Sequence, residues 1–196
     1  MKHIKLIIPI LAITLFMACN NGKRDATFAG GENTQTENQP TVSGGNIVLT
    51  VDGKKITVNN IDKEDSELTF YTPETILSVD AGAEIESKDG NQNINIAIEG
   101  LGKGKDEYKG NIDLEQSRSF AYFKDGETRY QFMEGTMEII EFSKKSGAVK
   151  VKVSGKVMKK VGSSYKDVTL DLPATMEIDV VISDIRTFNY TERRNN

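Results

Sequence analysis

The chain of 196 residues has no tryptophan, one cysteine and one histidine. Cys19 has no partner for an intramolecular disulfide. His3 stands at the extreme start, so the chain beyond residue 19 offers neither imidazole nor thiol. Ser-His-Asp and Cys-His mechanisms, histidine metal sites and thiolate zinc sites each lose an obligatory group. Lack of tryptophan removes the best platform for stacking against a sugar ring. No basic stripe is present, which argues against nucleic acid, whose affinity comes mainly from neutralised phosphates. No segment keeps helical spacing over three turns, so little helix is expected. The longest apolar run, Leu6 to Phe16, is eleven residues, against roughly twenty needed for a helix to cross a bilayer.

That short run is flanked in a telling way. Lys2, His3 and Lys5 precede it and Phe16-Met17-Ala18-Cys19 closes it, which is the layout of a cleavable export signal. The closing tetrapeptide resembles the lipobox of bacterial lipoproteins, in which a small residue precedes a cysteine that receives diacylglycerol. Phe16 replaces the usual Leu, as in lipoproteins of the Bacteroidetes type. The resemblance implies that residues 1–18 are removed, that Cys19 is the lipid-attachment site, and that the mature chain is held on a membrane of the cell envelope, the outer membrane being expected. The alternative, an ordinary buried cysteine ending a signal, would leave an exported protein with one unused thiol. Each buried methylene contributes about 0.8 kcal/mol and one acyl chain holds only marginally, so stable attachment calls for the several chains of such an anchor. Asn20-Asn21-Gly22-Lys23-Arg24-Asp25 lacks the acidic run that routes some of these proteins to the cell surface, so a periplasm-facing position is expected.

Residues 20–45 read NNGKRDATFAGGENTQTENQPTVSGG, with Phe28 and Val42 as the only large apolar residues. Such a stretch cannot bury enough surface to offset its ordering entropy and is expected to be a flexible linker. Its root-mean-square span is about 25 to 30 Å. Residues 46–196, about 150 in number, are the size of one domain with a single core. Loss of Lys2 and Lys5 with the signal lowers the basic count from 25 to 23 against 29 acidic residues, a formal charge of −6, which favours solubility.

Period two dominates that domain. Val149, Val151, Val153 and Val157 alternate with Lys150, Lys152, Ser154 and Lys156; Ile94, Ile96 and Ile98 alternate with Asn93, Asn95 and Glu99; Met176, Ile178, Val180 and Ile182 alternate with Glu177, Asp179 and Ser183. Each reads as a half-buried strand. Weaker strand runs are 47–51, 56–58, 68–71, 120–123, 130–132 and 168–172. Asp52-Gly53, Asp125-Gly126 and the looser Lys144-Lys145-Ser146-Gly147 mark hairpins. The apolar parity flips between Ile139 and Ile140, which predicts a bulge or a sheet crossing. A three-residue loop at Pro173–Thr175 would set Leu172 against Met176 and Asp171 against Glu177, with the lysines of 150–156 as the nearest cations. The fold class expected is all-β, an antiparallel β-sandwich or alternatively a closed or partly open β-barrel.

The succession Gly135-Thr136-Met137-Glu138-Ile139, a polar turn, Val149 to Val157 and a closing strand from Ile178 to Phe188 resembles uncharacterised β-rich lipoproteins of the Bacteroidetes. That resemblance implies a β-sandwich without an assigned reaction, and it supplies no catalytic residues.

The remaining chemistry is weighed against plainer readings. Glu138 with Glu141, or Asp171 with Glu177, could serve as a glycosidase pair, although outward acids on alternating strands are normally a solvated face. Asp62, Glu64, Asp65 and Glu67, and Asp80, Glu84, Glu86 and Asp89, offer hard oxygen ligands for calcium, but without the spacing of a dedicated loop. The run Gly100 to Lys105 has the glycines of a phosphate cradle but no following helix, so a glycine-rich hairpin is expected. Phe120, Tyr122 and Tyr130 are candidates for an aromatic binding surface, against cross-strand packing as the plain account. The expectation is a non-catalytic anchored module with no cofactor and no metal, binding an envelope protein or a glycan. A lipophilic ligand in a barrel mouth is the alternative.

Overall fold

A computed structural model describes residues 45–163 and 167–189, so the expected signal, Cys19, the expected linker up to residue 44 and Tyr190 lie outside the described residues. The described residues form eleven strands and no helix. They are β1 (Asn46–Val51), β2 (Lys54–Val58), β3 (Ile61–Tyr71), β4 (Ala81–Ser87), β5 (Gln92–Ile98), β6 (Glu107–Asp113), β7 (Phe120–Asp125), β8 (Thr128–Ser143), β9 (Ala148–Val161), β10 (Val168–Val181) and β11 (Asp184–Phe188). All belong to one sheet in the order β11-β3-β4-β5-β7-β8-β9-β10-β1-β2, with β6 also on β8. The sheet curls into a half-barrel. The all-β expectation holds, and of the two arrangements the partly open barrel forms, since hydrogen bonding runs unbroken from β2 to β11 without dividing into two sheets. It is mixed because β11 runs parallel to β3.

The curl follows from the residue pattern. Alternation sends Val149, Val151, Val153 and Val157 of β9 and Ala174, Met176, Ile178 and Val180 of β10 to the concave side, where they join one buried cluster with residues from nearly every strand. Phe70 stacks near Tyr108 and meets Phe142 edge-on, with ring centroids 6.1 and 5.6 Å apart. These rings fill the interior of the curl.

Bulges place the bends. The predicted parity flip is a register shift between Ile139 and Glu141 that turns Ile140 outward while Ile139 and Phe142 stay buried. A second shift between Phe132 and Glu134 exposes Met133. Beyond it Gly135 faces Gly155, and an added Cβ on Gly135 would lie 2.0 Å from the Ser154 carbonyl oxygen. Two strands cross here at a separation that only glycine permits.

Several expectations are corrected. Pro173–Thr175 is no loop: β10 runs through it, and Leu172 and Met176 lie on one strand opposite Val157 and Val153. The kink instead falls at Asp171, which has φ 59° beside a register shift. Proline is tolerated because its carbonyl accepts from Asp52 N, where β1 has ended, so the missing N–H interrupts no ladder. The closing strand breaks at Ile182-Ser183 into β10 and β11. Asp52-Gly53 has positive φ at both turn residues, as type I′ requires. The second hairpin turns one residue late, on Gly126-Glu127, with positive φ at glycine alone.

Gly135→Ala is expected to destabilise the domain by at least about 3 kcal/mol, through a backbone clash that cannot relax. Gly126→Ala, which meets open space, should cost only about 1 kcal/mol for its positive φ. Urea unfolding of the two variants against wild type checks the ranking.

Candidate functional site

The three aromatic candidates do not come together. Phe120 and Tyr122 point outward from β7, Phe120 being 38% exposed and Tyr122 half-buried. Tyr130 is 8% exposed on the core side, its ring edge-on to Phe123 at 6.3 Å. Parity decides this: Tyr130 pairs with Phe123, and cross-strand partners share a face, while Tyr122 pairs with Gln131. Burial raises the Tyr130 phenol above its ordinary value.

A different surface is assembled on the convex side of β6, β8, β9 and β10. Register aligns Thr136, Ser154 and Thr175 in one row across the strands, and Asn111, Glu138, Lys152 and Glu177 in the next. These side chains rim a groove of about 440 Å³. The small hydroxyls, lying beside the side-chain-free Gly135–Gly155 crossing, leave the depression. Its lining supplies hydroxyls, an amide, one ammonium and two carboxylates, a set suited to a polar ligand.

Charges flanking the groove alternate by strand. β8 is acidic on this face, β9 basic and β10 acidic, so Lys152 faces both Glu138 and Glu177, and Lys150 faces Asp179. Lys150 Nζ is 3.7 Å from Glu141 and Lys156 Nζ is 2.5 Å from Glu134. The Glu134 hydrogen bond raises the Lys156 ammonium above the ordinary lysine range, with Asp171 adding attraction. The lysine row therefore sits among the acids, as the sequence suggested. The two carboxylate pairs do not pair across strands. Glu141 is engaged by Lys150 and the Ser146 hydroxyl, and Asp171 lies six positions from Glu177 along β10.

Three carboxylates of the acidic runs, Asp62, Asp80 and Asp89, are used by backbone amides, while Glu67 meets Arg186 and Glu84 and Glu86 accept from Asn93 Nδ2. Asp62 Oδ1 accepts from Glu64 N and Asp65 N, closing the bulge in β3. Asp80 is buried, and its Oδ2 accepts from Leu101 N and Gly102 N at 2.7 and 2.9 Å. The amides of the glycine-rich run are thus turned onto a carboxylate of the same chain. The run is a crossover from β5 to β6, which pair with different neighbours, so the hairpin expectation is corrected. Among the described residues no three His, Cys, Asp or Glu side chains are grouped to hold a metal. Asp89 accepts from the Ser87 hydroxyl at 2.5 Å and from Asn91 N and Nδ2, which together hold its carboxyl down at about 2.

No family model, curated protein or solved structure matches the chain. The groove was missed in the sequence because Thr136, Ser154 and Thr175 are unremarkable until register brings them level.

Two outcomes follow. Lys152→Glu sets like charges against Glu138 and Glu177, and at a few tenths to about 1 kcal/mol per opposed pair it should lower the urea midpoint. The drop should shrink in high salt, with Lys152→Ala intermediate. Asp89, lowered from 3.8 to about 2 in the folded chain, contributes stability that is complete above its unfolded value and is lost as pH falls through the folded one. In Ser87→Ala its carboxyl titration, followed by NMR, should move up towards the ordinary range.

Proposed function

We propose that this chain is a lipid-anchored envelope protein that acts by presenting a surface and not by catalysis. The observation that carries the reading is Cys19, the sole cysteine, standing after Phe16-Met17-Ala18 behind a basic start and an eleven-residue apolar run. Acylation gives that thiol a use which neither disulfide pairing nor metal binding can.

The non-catalytic part is supported by inventory and placement. No histidine follows His3, and the convex carboxylates face lysines in register. The polar groove and the outward Phe120 and Tyr122 are the surfaces available to an envelope protein or glycan. The aromatic filling of the core gives no support to a lipophilic ligand in a barrel mouth.

The intact protein recovered from an envelope fraction should show by mass spectrometry an N-terminus at Cys19 carrying acyl mass. Cys19→Ala should move it to the soluble fraction or leave the precursor uncleaved. A wild-type protein with an unmodified thiol at Cys19 would end this proposal.

A further inference from the structure

Flanking the groove, unlike charges meet across β8, β9 and β10. Nearer the turn that joins β7 to β8, like charges meet instead. Register sets Lys124 of β7 opposite Arg129 of β8, and Arg129 opposite Lys160 of β9. The row lies on the outward face, since Phe123 and Tyr130, one position along each strand, are buried on the inner one. Like charges opposed across neighbouring strands are unfavourable. Among the described residues no carboxylate forms an ion pair with Lys124 or Arg129. Acids of the adjoining segments are turned aside. Asp125 accepts from Gln92 Nε2 at 3.1 Å and lies on the inner side with Tyr130. Asp167 stands opposite Val161, one position beyond Lys160 and so on the other face. Glu127 sits in the turn itself, and Glu84 and Glu86 are two strands away, where Asn93 engages both.

Two residues along each strand the next outward row is uncharged. Asn95, Tyr122, Gln131 and Met158 face one another across β5, β7, β8 and β9. The half-buried Tyr122 ring is thus bracketed by two amides, with the exposed Phe120 further along β7. At about 4.8 Å between strands, the three cations extend over roughly 10 Å, on the scale of a disaccharide. An aromatic ring offers a stacking face to a sugar, amides meet hydroxyls, and ammonium and guanidinium groups meet acid groups.

We infer that this part of the outward face binds an acidic glycan, with an acid group between Lys124 and Arg129 and a sugar ring against Tyr122. The inference rests on the reading of the chain as a protein that presents a surface, and it gives that surface a ligand class. An anion between the opposed cations removes the repulsion that register imposes. The groove at Thr136, Ser154 and Thr175 is a separate place, and its Lys152 takes no part.

Detergent-solubilised full-length protein, run through gels containing polygalacturonate or dextran sulfate, should be retarded by at least one of them and not by neutral dextran. Retardation should weaken as salt rises. Lys124→Gln combined with Arg129→Gln should weaken binding about a hundredfold, at roughly tenfold for each lost charge-assisted contact. Tyr122→Ala should weaken it about three- to tenfold and leave retardation by poly-L-glutamate unchanged, which separates a sugar from an acidic peptide. Tyr122→Leu repeats the measurement should Tyr122→Ala fold poorly by circular dichroism. Lys152→Ala should bind as wild type does. Without glycan, Arg129→Gln should keep or raise the urea midpoint, because it removes a repulsion. A lowered midpoint would show the row already neutralised within the chain and would overturn the site. So would equal retardation by neutral dextran, no retardation by either acidic glycan, or binding untouched by the double substitution or by loss of the Tyr122 ring. The mass of the same sample reads the anchor separately. Acylated Cys19 without retardation removes this site alone, whereas retardation with an unmodified Cys19 removes the anchor and keeps the site.

Discussion

A sheet with one apolar face must cover it, and here the described residues include no helix to do so. The face can only be closed by the sheet itself, and every other feature of the molecule answers to that requirement. Curling needs places where the ladder bends without losing its inward side chains. Met133 and Ile140 are expelled at register shifts so that Phe132, Met137, Ile139 and Phe142 all remain inside. Between them the Gly135–Gly155 crossing lets β8 and β9 approach closely enough to turn. Apolar residues on the outside of β8 are the cost of keeping the inside continuous.

The convex side answers the same constraint electrostatically. Long neighbouring strands with charged outer faces would repel if each carried the same sign. Acidic β8, basic β9 and acidic β10 place unlike charges opposite one another at Glu134–Lys156, at Glu138–Lys152–Glu177 and at Glu141–Lys150–Asp179. Exposed pairs of this kind contribute little individually, but they fix register, because a shift by one residue would turn lysines into the core. The polar groove is a consequence of this arrangement and of the glycines beside it.

Much of the fold is legible because alternation is local. The valines of β9, the isoleucines of β5 and the flip at Ile139-Ile140 each announce themselves within a few residues. What stayed hidden depends on distant partners. β4 buries Ala81, Ala83 and Ile85, small side chains with a weak strand signal, and its acids drew attention as ligands. β6 contains a glycine and a register shift and is recognisable only through its pairing with β8. Pro173 looks like a turn until β1 is known to end beside it. Tyr130 could be placed inside only once its opposition to Phe123 was fixed. The use of Asp80 could not be foreseen, since its partners are backbone amides 21 and 22 residues away with no side-chain signature.

The parallel pairing of β11 with β3 has a consequence for how the chain assembles. Asp184 sits beside Glu67, and Asn46 sits beside Asp179, so two early strands each wait for the last part of the described chain. During synthesis from the amino end, β1 and β3 keep an unsatisfied flank until residues 174–188 arrive, and loop-closure entropy makes such distant pairing slow. A nascent or stalled chain would offer those bare flanks to other polypeptides, so holding off premature association until the final two strands dock is a burden built into this topology.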